Sequence, residues 1–281
     1  MYAVNTKQSW FFLFRGAKGG PMVTHSIRFT VGFILAALLL VQPAAAHFGM
    51  VIPSDSMVLQ EDDRTIQVTL SFSHPMEMVG MPLERPAVFK VMANGTHLDL
   101  SASLTPVQVM GHDAWQARYP VKRPGVYVFF MEPKPYWEPA EDCFIVHYTK
   151  TVVTAFGDDE GWDAEVGLKT EIVPLAKPFG LYAGNVFQGL VKLEGKPVPG
   201  AEVEVEFYNR EKTATAPTDY MVTQTIKADG SGIFTYAVPA PGWWGFAALN
   251  TAKETLPHNG EAKEIEIGAV IWVKFHQWQG Q

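Results

Sequence analysis

The sequence predicts an all-β protein, two β-sandwich domains behind an N-terminal signal peptide. Polar and apolar residues alternate through Thr65-Ile66-Gln67-Val68-Thr69-Leu70-Ser71-Phe72, the period of a half-buried strand. Strand-sized segments at 88–92, 115–119, 125–131 and 143–153 follow, separated by Pro and Gly turns, with no amphipathic helix of normal length between them; this spacing is that of a sandwich. Before all of them an apolar run, 29–41, ends in Ala44-Ala45-Ala46-His47, the small-residue pattern of a signal-peptidase site.

The leader comes first. Arg28 and His25 supply the basic flank of the apolar run, which is shorter than the roughly 20 residues needed to cross a bilayer. Residues 1–46 are therefore expected to be removed. The segment before Pro21 is long for a basic n-region, and Met22 is the expected start. Cleavage after Ala46 makes His47 the first mature residue. Cleavage one or two residues earlier would place it second or third, but a cut before Ala45 leaves Gln42 where a small residue is preferred. The mature protein is expected in the periplasm, without a membrane span.

The leader carries Lys7, Arg15, Lys18 and Arg28 and no carboxylate, so its removal takes the formal charge from -7 to -11. An acidic chain disfavours nucleic acid as a partner and suits the gathering of cations. Cys143 is the only cysteine, which excludes an internal disulfide, so stability must come from packing.

The first domain is expected over residues 47–176. Gly157-Asp158-Asp159-Glu160-Gly161-Trp162-Asp163 breaks its strand rhythm. This acidic stretch reads as a solvated loop, since the spacing of a calcium-binding EF-hand is absent. The second domain is expected over 177–281, with strands at 185–193, 201–208, 233–238 and 245–250. Its phrases Gly195-Lys196-Pro197-Val198-Pro199-Gly200-Ala201 and Ala228-Asp229-Gly230-Ser231-Gly232-Ile233-Phe234 resemble the transthyretin-like or carboxypeptidase-regulatory type of Ig-like domain. That resemblance speaks to fold alone.

The chemistry centres on histidine. A mature N-terminal His47 offers its own amine and its ring Nδ1 as a chelate for one transition metal. His74 shares the parity of Ile66, Val68, Leu70 and Phe72 and so leaves its strand on the buried side. It opens His74-Pro75-Met76-Glu77-Met78-Val79-Gly80-Met81, where imidazole suits Ni²⁺, Co²⁺, Cu²⁺ or Zn²⁺ and thioether suits softer ions. The three methionines are expected to pack rather than ligate. His74 and Glu77 are expected to complete a metal site begun by His47, and His147 is a further candidate on the strand that carries Cys143 and Ile145. His97, His112, His258 and His276 fall at turns or near the chain's end. Aromatic residues at Tyr136-Trp137 and Trp243-Trp244 are expected to serve packing before sugar stacking. Nucleophile-elbow, phosphate-loop and dinucleotide signatures are missing, so no enzyme is expected.

Three segments carry a wider resemblance: His47-Phe48-Gly49-Met50-Val51-Ile52-Pro53, Phe72-Ser73-His74-Pro75-Met76-Glu77 and Leu181-Tyr182-Ala183-Gly184-Asn185-Val186-Phe187. They resemble the periplasmic components of nickel and cobalt uptake systems of the energy-coupling-factor type, which are exported Ig-like proteins. The resemblance implies capture or delivery of Ni²⁺ or Co²⁺ for a membrane permease, with His47, His74 and Glu77 in the family's histidine and acidic positions. Met76 stands where relatives show an aromatic residue, which leaves the preferred metal open. The chain is also similar to copper-dependent polysaccharide monooxygenases in its mature histidine and Ig-like sandwich, and Cu²⁺ held by His47 with His74 or His147 is that alternative. A structural sandwich without metal is the third reading.

Overall fold

The computed structural model describes residues 46–280. The leader, its expected start at Met22 and the cleavage motif up to Ala45 lie outside the described residues. In chain order the main strands are β1 (Phe48–Pro53), β2 (Thr65–His74), β3 (Val88–Ala93), β4 (Thr105–Val109), β5 (His112–Pro120), β6 (Gly125–Glu132), β7 (Tyr136–Glu138) and β8 (Cys143–Ala155). There follow β9 (Thr170–Pro174), β10 (Val186–Leu193), β11 (Glu202–Phe207), β12 (Ile233–Ala237), β13 (Gly242–Thr251) and β14 (Ile265–His276). The chain is all-β and sandwich-like, as the sequence predicts. No helix among the described residues is long and apolar enough to cross a membrane.

The alternating segment becomes β2, which buries Ile66, Val68, Leu70 and Phe72 and turns Gln67 to solvent. It lies between β1 and β5 in a sheet ordered β1-β2-β5-β4. This sheet packs over β3, β6 and β8, and Leu70, Phe72, Phe89, Phe129, Ile145 and Val153 fill the core between them. The second half of the chain builds a corresponding layer from β9, β10 and β12. It closes over β11, β13 and β14 on Phe187, Phe234, Val203, Phe246 and Ile271.

Both cores share one large sheet, ordered β11-β13-β14-β8-β6-β3 along its main path. Its middle is the parallel pairing of β8 with β14, from Phe144 opposite Ile265 to Thr151 opposite Trp272. The described residues, 46–280, accordingly form one compact unit. On β14, Ala269, Ile271 and Val273 enter the second core, while Val270 and Trp272 point the other way beneath Phe48 and Met50 of β1. Burial on both faces explains why β14 reads as the unbroken apolar run Ala269-Val270-Ile271-Trp272-Val273 instead of alternating.

Two devices hold the shared sheet in place. Trp272 Nε1–H donates to the Gly49 carbonyl at 2.9 Å, fixing β1 on the sheet. Lys150, fully buried on β8, donates to Glu171 Oε1 at 2.6 Å. Glu171 also accepts from the backbone N–H groups of Val166, Gly167 and Leu168. The desolvation of Lys150 is offset by this partner, and a buried charge that loses its partner is costly. Glu171→Ala should therefore destabilise the protein by about 3–5 kcal/mol, read as a fall in the urea midpoint. A midpoint unchanged from wild type would show that the pair does not anchor the sheet.

Candidate functional site

Where β1 enters the fold, it lies over β8 at His147 and over β14 at Trp272. His47 is 8% exposed, and its ring stacks on Phe72 at 5.7 Å between centroids and lies 4.6 Å from the His74 ring. Its Nε2–H donates to Glu138 Oε2 at 2.9 Å, which leaves the lone pair on Nδ1, 3.8 Å from Glu141 Oε1. Burial, with the neighbouring His74 and His147, pushes the His47 pKa down to about 4 against the opposing pull of Glu138. At neutral pH the ring is an uncharged imidazole, the form that ligates metals.

His74 stands at the end of β2, as its parity predicts, and its Nδ1–H donates to the Ala46 carbonyl at 2.7 Å. The following turn is pinned to the second half of the chain. Glu206 on β11 accepts from the Met76 N–H at 3.2 Å and from the Thr223 hydroxyl. Asn209 donates through its backbone to the Pro75 carbonyl and through its side chain to the Met76 carbonyl. Thus residues about 130 positions away hold the turn that follows His74.

His147 is 1% exposed. Its Nδ1 accepts from the Gly49 N–H at 3.3 Å, so its Nε2–H faces Glu266 Oε1 at 3.4 Å. The ring lies flat over Gly268, where a Cβ would come within 2.7 Å of Nε2. Both nitrogens of His147 are engaged, while its ring meets Phe72 edge-on at 5.9 Å. Glu77 lies in the exposed turn after β2, with Glu206 as an electrostatic neighbour. The carboxylates beside His47 are Glu138 and Glu141 instead. Met81 is buried in the first core. The Cys143 thiol is pushed up to about 11 by burial and by Glu141 and Glu266, so it stays protonated at neutral pH. Among the described residues no group of three or more His, Cys, Asp and Glu side chains is arranged to hold a metal ion.

Around these imidazoles the sheet carries a run of carboxylates. Glu204 is raised to about 7 by burial and then by Glu266 and Glu141. Glu206 is raised to about 8, chiefly by burial. An acid raised in the folded state keeps its proton where the unfolded chain has lost it, so the folded state is favoured below the ordinary carboxylate pKa near 4.5 and loses that advantage as pH rises toward 8. Glu206→Gln, which retains an acceptor for the Met76 N–H, should leave the Tm near wild type at pH 4.5. At pH 8.5 it should raise the Tm by several degrees. Equal effects at both pH values would contradict a protonated Glu206.

A family model described as "Domain of unknown function (DUF4198)" matches residues 44–252. A search of the curated proteins finds no match. Among solved structures, the adhesin InvE of Yersinia pseudotuberculosis is 11% identical, covering 79% of this chain and 58% of its own, with a TM-score of 0.23. Trypsin-activated alpha-2-macroglobulin from Escherichia coli is 8% identical over 83% of this chain and 16% of its own, with a TM-score of 0.24. Fibronectin(III)-like modules of Clostridium thermocellum CbhA are 9% identical over 83% of this chain and 100% of their own, with a TM-score of 0.19. The chain thus spans less than two thirds of the first two. Likenesses this distant assign no function.

Proposed function

The chain belongs to the DUF4198 family, and within it we propose that this protein is an exported binding protein that captures a late first-row divalent ion, Ni²⁺ or Co²⁺, at His47 and His74. The observation that carries the reading is the 2.7 Å contact between His74 Nδ1 and the Ala46 carbonyl oxygen. Amide geometry puts that same oxygen about 2.3 Å from the His47 nitrogen. Cleavage of the Ala46–His47 bond would remove the carbonyl and leave a free amine and a released imidazole nitrogen facing the place it occupied. Metal–imidazole bonds of about 2.0–2.1 Å suit an ion at such a place.

The surroundings agree with that chemistry. His47 keeps its Nδ1 lone pair on the side that an amine-plus-ring chelate needs, because Glu138 takes the proton-bearing Nε2. A carboxylate behind a ligating imidazole fixes its tautomer and raises its basicity. On this reading Glu138 takes the part that the sequence gives to Glu77, as an orienting group rather than a ligand. His147 supports the site through the backbone of β1 at Gly49. The protein binds and hands over its ion in the periplasm, with a membrane permease as recipient, and performs no reaction.

Titration calorimetry with Ni²⁺ and Co²⁺ tests this on protein shown by mass spectrometry to begin at His47. Glu138→Gln should weaken binding roughly 10–100-fold. His74→Ala, and a variant with one alanine added before His47, should each weaken it more. Unchanged affinity in the extended variant would remove the amine from the site, and binding of Cu²⁺ alone would favour a copper protein.

A further inference from the structure

Beside the imidazole cluster, and separated from His47 by the rings of Phe72 and Tyr136, lies a cavity of about 400 Å³. Its volume falls within the roughly 300–1,000 Å³ of small-molecule sites. Phe72, Leu83, Met131, Tyr136, Trp137 and Phe144 supply its ring and aliphatic wall, and the buried His147 also lines it. Two ring contacts set that wall: Phe72 meets Tyr136 at 5.1 Å and Trp137 meets Phe144 edge-on at 5.1 Å. Pro82, Pro133 and Pro135 also line it. Fixed proline φ angles stiffen the segments that carry the wall.

Its carboxylate and its ammonium stand together. Glu84 and Lys134 line the cavity, are 71% and 52% exposed, and stand 3.1 Å apart. An ion pair this exposed contributes little to stability. A ring-walled cavity with one carboxylate and one ammonium at its opening complements a molecule with an apolar, ring-sized body and both charges at one end.

We propose that this cavity binds a free α-amino acid with an aromatic side chain. The side chain enters among the rings, the α-ammonium meets Glu84 and the α-carboxylate meets Lys134. Aromatic pairs at such separations favour edge-to-face and offset contacts. The charged end gains charge-assisted hydrogen bonds.

The test is calorimetric titration of the full chain with L-phenylalanine in the presence of EDTA, which keeps the result independent of metal binding. 3-Phenylpropionate, phenethylamine and glycine serve as partial ligands. Lys134→Gln and Glu84→Gln change exposed side chains and should leave the thermal midpoint at its wild-type value. Phenylalanine should bind, glycine should not, and each substitution should weaken phenylalanine about tenfold. Phenylpropionate should respond only to Lys134→Gln and phenethylamine only to Glu84→Gln. Absence of binding by phenylalanine, binding of glycine with equal strength, or indifference of phenylalanine to both substitutions would overturn the proposal.

Discussion

The parallel ladder between β8 and β14 is the constraint on which the rest of the structure depends. A parallel pair needs a long connection and cover on both faces, and this chain meets both requirements. The connection is the whole second half of the chain, and the cover comes from β1 on one side and the layer of β9, β10 and β12 on the other. The two cores are thereby built on one sheet. Lys150 sits on β8, within that ladder, and Glu171 meets it from β9, where a charge without a partner could not be kept.

The candidate site follows from the same ladder. The register that puts His147 opposite Gly268 gives the imidazole a flat bed and brings Glu266 to its edge. It also sets Trp272 under β1, whose carbonyl at Gly49 accepts from the indole while its amide donates to His147. β1, paired with β2 in its own sheet, is therefore also held by side chains of β8 and β14 from the facing sheet, and His47 is carried with it into a buried place. A buried neutral histidine among carboxylates with raised pKa values is an electrostatic compromise. Burial favours the proton on Glu206 and, less strongly, on Glu204, and withholds one from His47.

Much of the fold was legible in the sequence because local periodicity encodes local burial. The alternation at 65–72 specified which side of β2 is apolar, and it placed His74 on that side. The pattern of Val203 and Val205 did the same for β11. The carboxylate partners were not legible. Glu138 is 91 residues from His47 and reaches it only because β7 pairs with the start of β8. Glu206 and Asn209 act on the turn after His74 across the junction between the two halves. Nothing in local spacing reports such contacts, so the acidic residue nearest His74 in sequence, Glu77, stood in for groups that only the sheet order brings near. The charged pair at the cavity, Glu84 and Lys134, was silent for the same reason.

The place of β14 in the chain has a consequence for assembly. The first core draws its residues from 51–155 and can collapse on itself, whereas the bed of His147, the partner of Phe48 and the floor of the second core all come from 265–276. Contacts of such sequence separation form late, because the entropy of closing the intervening loop must be met first. The surroundings of the histidines are thus among the last parts of the molecule to be completed as the chain is made. A molecule that recognises them binds only the finished fold, and its binding energy adds to the stability of that state alone.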